Sequence, residues 1–152
     1  MKQHQGSFKW ISLVEQHTDD FEFSEPATLS EIVEAEKELD LIFPTALKEC
    51  LLESNGVFGE YGLGLVWTLR AITETNTEFR QNNDFSELYM PFDSLLFFGD
   101  AGNGDQFAFP IQAGVIRRDD VFVWNHEDDS RSWVAPSLEK YIEWQLNGKI
   151  CT

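Results

Sequence analysis

Apolar residues recur along this chain with two different periods, and the change of period divides it. Phe8, Ile11 and Val14, with Trp10 and Leu13 beside them, fall at helical spacing and predict an amphipathic helix from about Ser7 to Gln16. Thr18-Asp19-Asp20 ends it, and Phe21-Glu22-Phe23 alternates as an extended connector does before Pro26. Thr28-Leu29-Ser30-Glu31 has the form of a capping box, in which hydroxyl and carboxylate satisfy each other's open backbone amides at a helix start. Behind it, Leu29, Ile32, Val33 and Leu39 form the expected buried stripe, and Glu31, Glu34, Lys37 and Glu38 the wet side. Leu41-Ile42-Phe43-Pro44 breaks that helix, and Pro44 suits the first turn of the next. Leu47, Cys50 and Leu51 line the inner face of this second helix, and Asn55-Gly56 supplies a left-handed stop.

Gly59, Gly62 and Gly64 punctuate the next segment, and Leu65-Val66-Trp67 reads as a short strand. From Leu69 to Asn82 the helical period returns, with Leu69, Ile72 and Phe79 on one side of an otherwise polar helix that is expected to be peripheral. After Pro91 the period shortens. Leu95 to Phe98, Gln106 to Phe109, Val121 to Trp124 and Arg131 to Val134 predict four strands, and Glu127-Asp128-Asp129-Ser130 the last hairpin turn. Short turns imply antiparallel pairing, because a parallel pair needs a crossover of about a dozen residues or more. Pro136-Ser137 opens a closing helix with Leu138, Tyr141, Ile142 and Leu146 facing inward and Asn147-Gly148 at its end. Helices, then a meander, then a helix indicate an α+β fold, and with no repeat or linker residues 1–152 read as one domain.

Composition narrows the function. A chain that is 42% hydrophobic and 14% aromatic folds instead of remaining disordered. Its 27 acidic against 11 basic side chains give a net charge of -16, and the pI is about 4.3. Such a surface repels nucleic-acid phosphates and anionic lipid, and it speeds encounter with a basic partner; solubility alone is the plainer use of it. Cys50 and Cys151 lack any Cys-x-x-Cys spacing, and no leader or span of transmembrane length is visible. Reduced thiols in a cytoplasmic protein are the expectation.

Candidate chemistry centres on Leu95-Leu96-Phe97-Phe98-Gly99-Asp100-Ala101-Gly102-Asn103-Gly104-Asp105-Gln106-Phe107-Ala108-Phe109, two apolar runs around a Gly, Asn and Asp reversal. It fails as an EF-hand loop, since Gly102 and Gly104 fall at the third and fifth ligand positions and Ile111 at the twelfth. It fails as a phosphate cradle, since Asp105 stands where a lysine is needed. His126-Glu127-Asp128-Asp129 has metal-ligating side chains but reads better as a solvated turn, the other two histidines, His4 and His17, lying in the N-terminal region. Without a nucleophile elbow or a His-Glu-x-x-His the chain is not read as an enzyme, and no cofactor or metal is expected. Phe97, Phe98, Phe107, Phe109, Trp124 and Trp133 are core candidates; one left exposed beside an acidic rim would be a hot spot for a protein partner.

In order and spacing, several segments resemble the SUKH superfamily, which includes the yeast cell-wall-assembly regulator and many bacterial immunity proteins. They are Ile42-Phe43-Pro44-Thr45-Ala46-Leu47 after a helix, Ser54-Asn55-Gly56, Gly64-Leu65-Val66-Trp67, Leu95 to Gly99 running into Gly102-Asn103-Gly104-Asp105, Val121 to Glu127, and Ala135-Pro136-Ser137-Leu138. The resemblance covers about Thr28 to Gly148 and leaves the N-terminal helix and connector, residues 1–27, outside. It implies a central, mainly antiparallel sheet flanked by helices and no catalytic residues. It also implies an immunity protein that neutralises a cognate toxin, a nuclease or nucleic-acid deaminase, by occlusion. A scaffold regulating envelope assembly is the alternative, and a small-ligand or metal enzyme built on Asp100 to Asp105 a third class. The acids expected to meet a basic toxin stand at loop tips: Glu60, Asp100, Asp105, Asp119, Asp120, Glu127, Asp128 and Asp129.

Overall fold

The computed structural model describes residues 8–59 and 62–150. Within them the chain runs through α1 (Lys9–Glu15), β1 (Glu22–Phe23), α2 (Leu29–Leu39), α3 (Thr45–Glu53), β2 (Val57–Phe58), β3 (Gly64–Val66), α4 (Leu69–Gln81) and α5 (Asn83–Leu88). A 3-10 turn (Phe92–Ser94) leads to β4 (Leu95–Asp100), β5 (Gln106–Pro110), β6 (Val121–Trp124), β7 (Arg131–Ala135) and the closing α6 (Leu138–Leu146). This is the expected α+β order. The strands form two antiparallel sheets, β1-β2-β3 and β4-β5-β6-β7. The connector expected at Phe21 to Phe23 contributes an edge strand, pairing Glu22 with Phe58 and Phe23 with Val57.

The two sheets meet at β3 and β4. The register slips between Phe97 and Gly99, and the Phe98 carbonyl accepts the Trp67 N–H at 2.8 Å, just beyond β3. Gly99 is required there, because a Cβ would stand 2.6 Å from the Leu65 carbonyl oxygen. Tyr141 of α6 donates its hydroxyl to that same oxygen at 2.8 Å.

β4 is buried on both faces, which explains its unbroken apolar run. Phe97 packs with Phe79, Phe92 and Trp124 at 5.1 to 5.7 Å between ring centroids. Phe98 stacks on Phe109 at 4.5 Å and meets Tyr141 edge-on at 5.2 Å.

Two helices depart from their predicted roles. The capping box of α2 forms, Glu31 N–H donating to Thr28 Oγ1 and Thr28 N–H to Glu31 Oε1. The inward arc, however, is Ile32, Ala35, Glu36 and Leu39, while Leu29 is 61% exposed and Val33 42%. Glu36 occupies a buried seat because its carboxylate accepts the Phe43 N–H at 2.8 Å and pairs with Lys48 at 3.6 Å. Nor is α4 peripheral. Asn76 is buried, accepts the Phe97 N–H at 2.8 Å and donates to the Phe97 carbonyl at 2.9 Å, so one side chain completes the hydrogen bonding of that residue.

Helix α1 packs against α3 and α6. The Glu53 carboxylate accepts the N–H groups of Trp10 at 2.8 Å and Ile11 at 3.0 Å, at the start of α1, where amides have no partner within the helix.

Candidate partner-binding surface

The reversal after β4 is built by Gly102 and Gly104, both at positive φ, and by Asn103, whose side chain accepts the Asp105 N–H at 3.0 Å. A Cβ on Gly104 would stand 2.7 Å from the His126 ring, so the turn lies flush on the imidazole. Asp105, a candidate docking acid, is only 6% exposed. Its Oδ1 accepts the His126 backbone N–H at 3.1 Å and lies 2.7 Å from His126 Nδ1. It is a strut between two hairpins and presents no free charge.

Asp129 is spent in the same way. At positive φ, it accepts hydrogen bonds from Trp124 Nε1 at 2.8 Å, Met90 N–H at 2.9 Å and Arg131 Nη2 at 3.0 Å. Burial pushes its carboxyl up, but those donors outweigh burial and hold it below the usual carboxylate range. Arg131 in turn donates to the Met90 and Pro91 carbonyls and lies over the Phe92 ring. The clamp ties the β6–β7 hairpin to the segment after α5.

The remaining candidates divide between the two ends of β6. Asp100, half-buried, lies at the end that carries Asp105. With it are Glu127 and Asp128, both exposed on a tip organised by Asn125, whose Oδ1 accepts their N–H groups at 2.8 and 3.3 Å. The Ser130 N–H and hydroxyl hold the Asp128 carboxyl low. Asp119 and Asp120 precede β6 at its other end, and Asp120 pairs with Arg118 at 3.2 Å. Glu60 lies outside the described residues, as does Cys151. No group of three metal-ligating side chains is placed to hold an ion among the described residues.

A broader acidic surface lies elsewhere. Between α2 and α4 runs a groove whose two adjoining hollows, of about 480 and 460 Å³, share Glu38, Thr73 and Glu74. Glu31, Glu34 and Glu38 line one side, Glu74 and Glu78 the other, and the guanidinium lining it, Arg70, pairs with Glu74 at 3.3 Å.

Comparison with known families matches residues 29–142 to the model SUKH_6, described as SMI1-KNR4 cell-wall. The chain belongs to the SUKH superfamily. The match opens on the first residue of α2 and closes at Ile142 in α6, so both groove helices and the whole meander are family architecture, while α1 lies outside it. SUKH domains are in general non-catalytic immunity or regulatory modules. No curated protein matches the chain significantly.

Sequence patterning in this SUKH domain places Glu31, Glu34 and Glu38 on a wet helix face but does not join them to Glu74 and Glu78. A signal is present: Glu34 and Glu38, and again Glu74 and Glu78, are like charges four apart on a helix, an arrangement that costs helix stability. Trp133, a core candidate from the sequence, does not join the core as Phe97, Phe98, Phe107, Phe109 and Trp124 do. It is 50% exposed on β7, and its Nε1 donates to Asp120 at 3.3 Å. Cys50 is buried in the SUKH core, and burial, with Glu53 nearby, pushes its thiol up to about 12, which leaves it unreactive. Among the described residues no helix is long and apolar enough to cross a membrane.

Proposed function

We propose that this SUKH protein is an immunity protein: it binds a cognate toxin and neutralises it by covering the surface with which the toxin works, catalysing no reaction itself. The observation that carries this reading is the groove in which α2 and α4 place five glutamates around one already paired arginine, on a chain of net charge -16. A toxin that grips nucleic acid, a nuclease or a deaminase, is basic where it meets phosphate, and a groove of this sign attracts that surface. Glu127 and Asp128 at the hairpin tip and Trp133 beside Asp120 offer further contacts, the tryptophan with the apolar area that interface anchors use. The same charge opposes direct binding to nucleic acid or anionic lipid, and the cytoplasm is the compartment this role requires.

The family description, SMI1-KNR4 cell-wall, favours a second reading, a scaffold in envelope assembly. Genome context separates the two: a neighbouring gene ending in a toxin-like domain supports immunity. The deciding experiment is co-purification with the product of that gene, together with an assay of toxin activity. A stable complex with loss of toxic activity supports immunity, and a complex with envelope-assembly components alone supports the scaffold.

A further inference from the structure

Arg80, near the end of α4, carries five N–H donors on its guanidinium. Among the described residues one hydrogen bond engages it: Nη2 donates to the Leu95 carbonyl at a long 3.3 Å. The Nε–H is sealed from solvent without an acceptor among the described residues. No carboxylate among them stands within ion-pair distance, in a chain with 27 acids. A partly buried cation so poorly satisfied is unfavourable unless something else completes it. Burial lowers its pKa, and Asp93 opposes this only through space.

Arg80 lines a cleft of about 150 Å³ whose other walls include Phe79, Phe85, Tyr89, Met90 and Phe92. These walls are held in place. The Tyr89 hydroxyl donates to the His126 carbonyl at 2.9 Å, and Arg131 covers the Phe92 ring at 5.0 Å. Phe85 meets Phe79 edge-on at 4.9 Å. Apolar walls around one unpaired cation suit a small anion with an apolar body. A dianion such as phosphate fits less well, because Asp93 also lines the cleft and the whole chain repels it.

We propose that this cleft is a carboxylate-binding site, taking a single carboxylate on a short aliphatic or aromatic stem, with the carboxylate on Arg80 and the stem among the aromatic walls. A free organic acid and an acidic side chain of a polypeptide present this same chemistry. The site does not depend on the immunity reading, since it needs no toxin.

The test monitors the Arg80 Nε–H and the Phe85 and Tyr89 resonances of the full chain by NMR at constant ionic strength. Benzoate stands for the free acid, N-acetyl-glutamate amide for the side chain, and benzamide for an uncharged ligand of the same shape. At least one carboxylate is expected to shift these signals and saturate in the millimolar range, with benzamide at least about tenfold weaker and the response lost in Arg80→Gln. The tighter of the two acids identifies the source. No shift with either acid, or equal shifts with benzamide, overturns the proposal, and this comparison on the unaltered chain decides the matter even if Arg80→Gln does not fold.

Discussion

The carboxylate of Asp105 contacts His126 twice, taking its backbone N–H at 3.1 Å and facing its ring Nδ1 at 2.7 Å, and thereby ties the β4–β5 turn to the β6–β7 hairpin. Asp105→Ala removes the acceptor of the His126 N–H and the partner of its ring Nδ1 at a partly buried site. The variant should lose about 1–3 kcal/mol in urea unfolding. Asp105→Asn keeps an acceptor oxygen and should recover part of the loss; equal stability of all three proteins would show that water replaces the strut.

Asn76 performs the work of a neighbouring strand for Phe97. Asn76→Ala leaves a buried N–H and a buried carbonyl without their partner, at about 1–3 kcal/mol each. Unfolding measurements report the total, and faster hydrogen exchange at the Phe97 amide assigns it.

Asp129 makes stability depend on acid. Its folded pKa lies below the usual range, so its contribution is present above the unfolded carboxylate value of about 3.9 and is lost as pH falls through the folded one. Asp129→Asn should be less stable at pH 7 by about 1–3 kcal/mol and should lose less on acidification. Urea midpoints between neutral pH and about pH 3 check both points.

Glu53 has the opposite sign. Burial raises its pKa, the N–H groups of Ile11, Trp10 and Lys9 pull it down, Glu49 adds to the rise, and the net direction is up. Its contribution is complete below the unfolded pKa and lost as pH rises through the folded one. Glu53→Gln keeps an oxygen for Trp10 and Ile11, so its stability relative to the parent should increase as pH rises through that value. Paired unfolding curves across the range measure the difference.

The features legible in the sequence are local ones. The Thr28–Glu31 box and the inward face of the closing helix depend on spacing within one or two turns; the box forms, and of the inward set Leu138, Tyr141 and Ile142 are buried while Leu146 is half-buried. Leu29 and Val33 carry an inward pattern yet face out, because Glu36 gains its inward seat from Phe43 and Lys48, seven and twelve positions away. Asn76 reads as surface because its partner lies twenty-one positions on. Strand β2, two residues long, is too short to show a period and is held by pairing with β1 and β3. In the candidate surface the acids are visible but their engagement is not: Asp105 and Asp129 are consumed by His126, Trp124, Met90 and Arg131, contacts that only the folded chain brings together.

Docking through the acidic groove is tested most directly by the association rate of the protein with its co-purified partner across a salt series. The rate is measured for the parent and for a variant with Glu34, Glu38, Glu74 and Glu78 changed to lysine. The parent rate should fall about tenfold or more as salt rises from low ionic strength to several times physiological. The variant should fold but associate at least about tenfold more slowly at low salt. A rate insensitive to salt, or a folded variant that associates as fast as the parent, would contradict electrostatic docking at this groove.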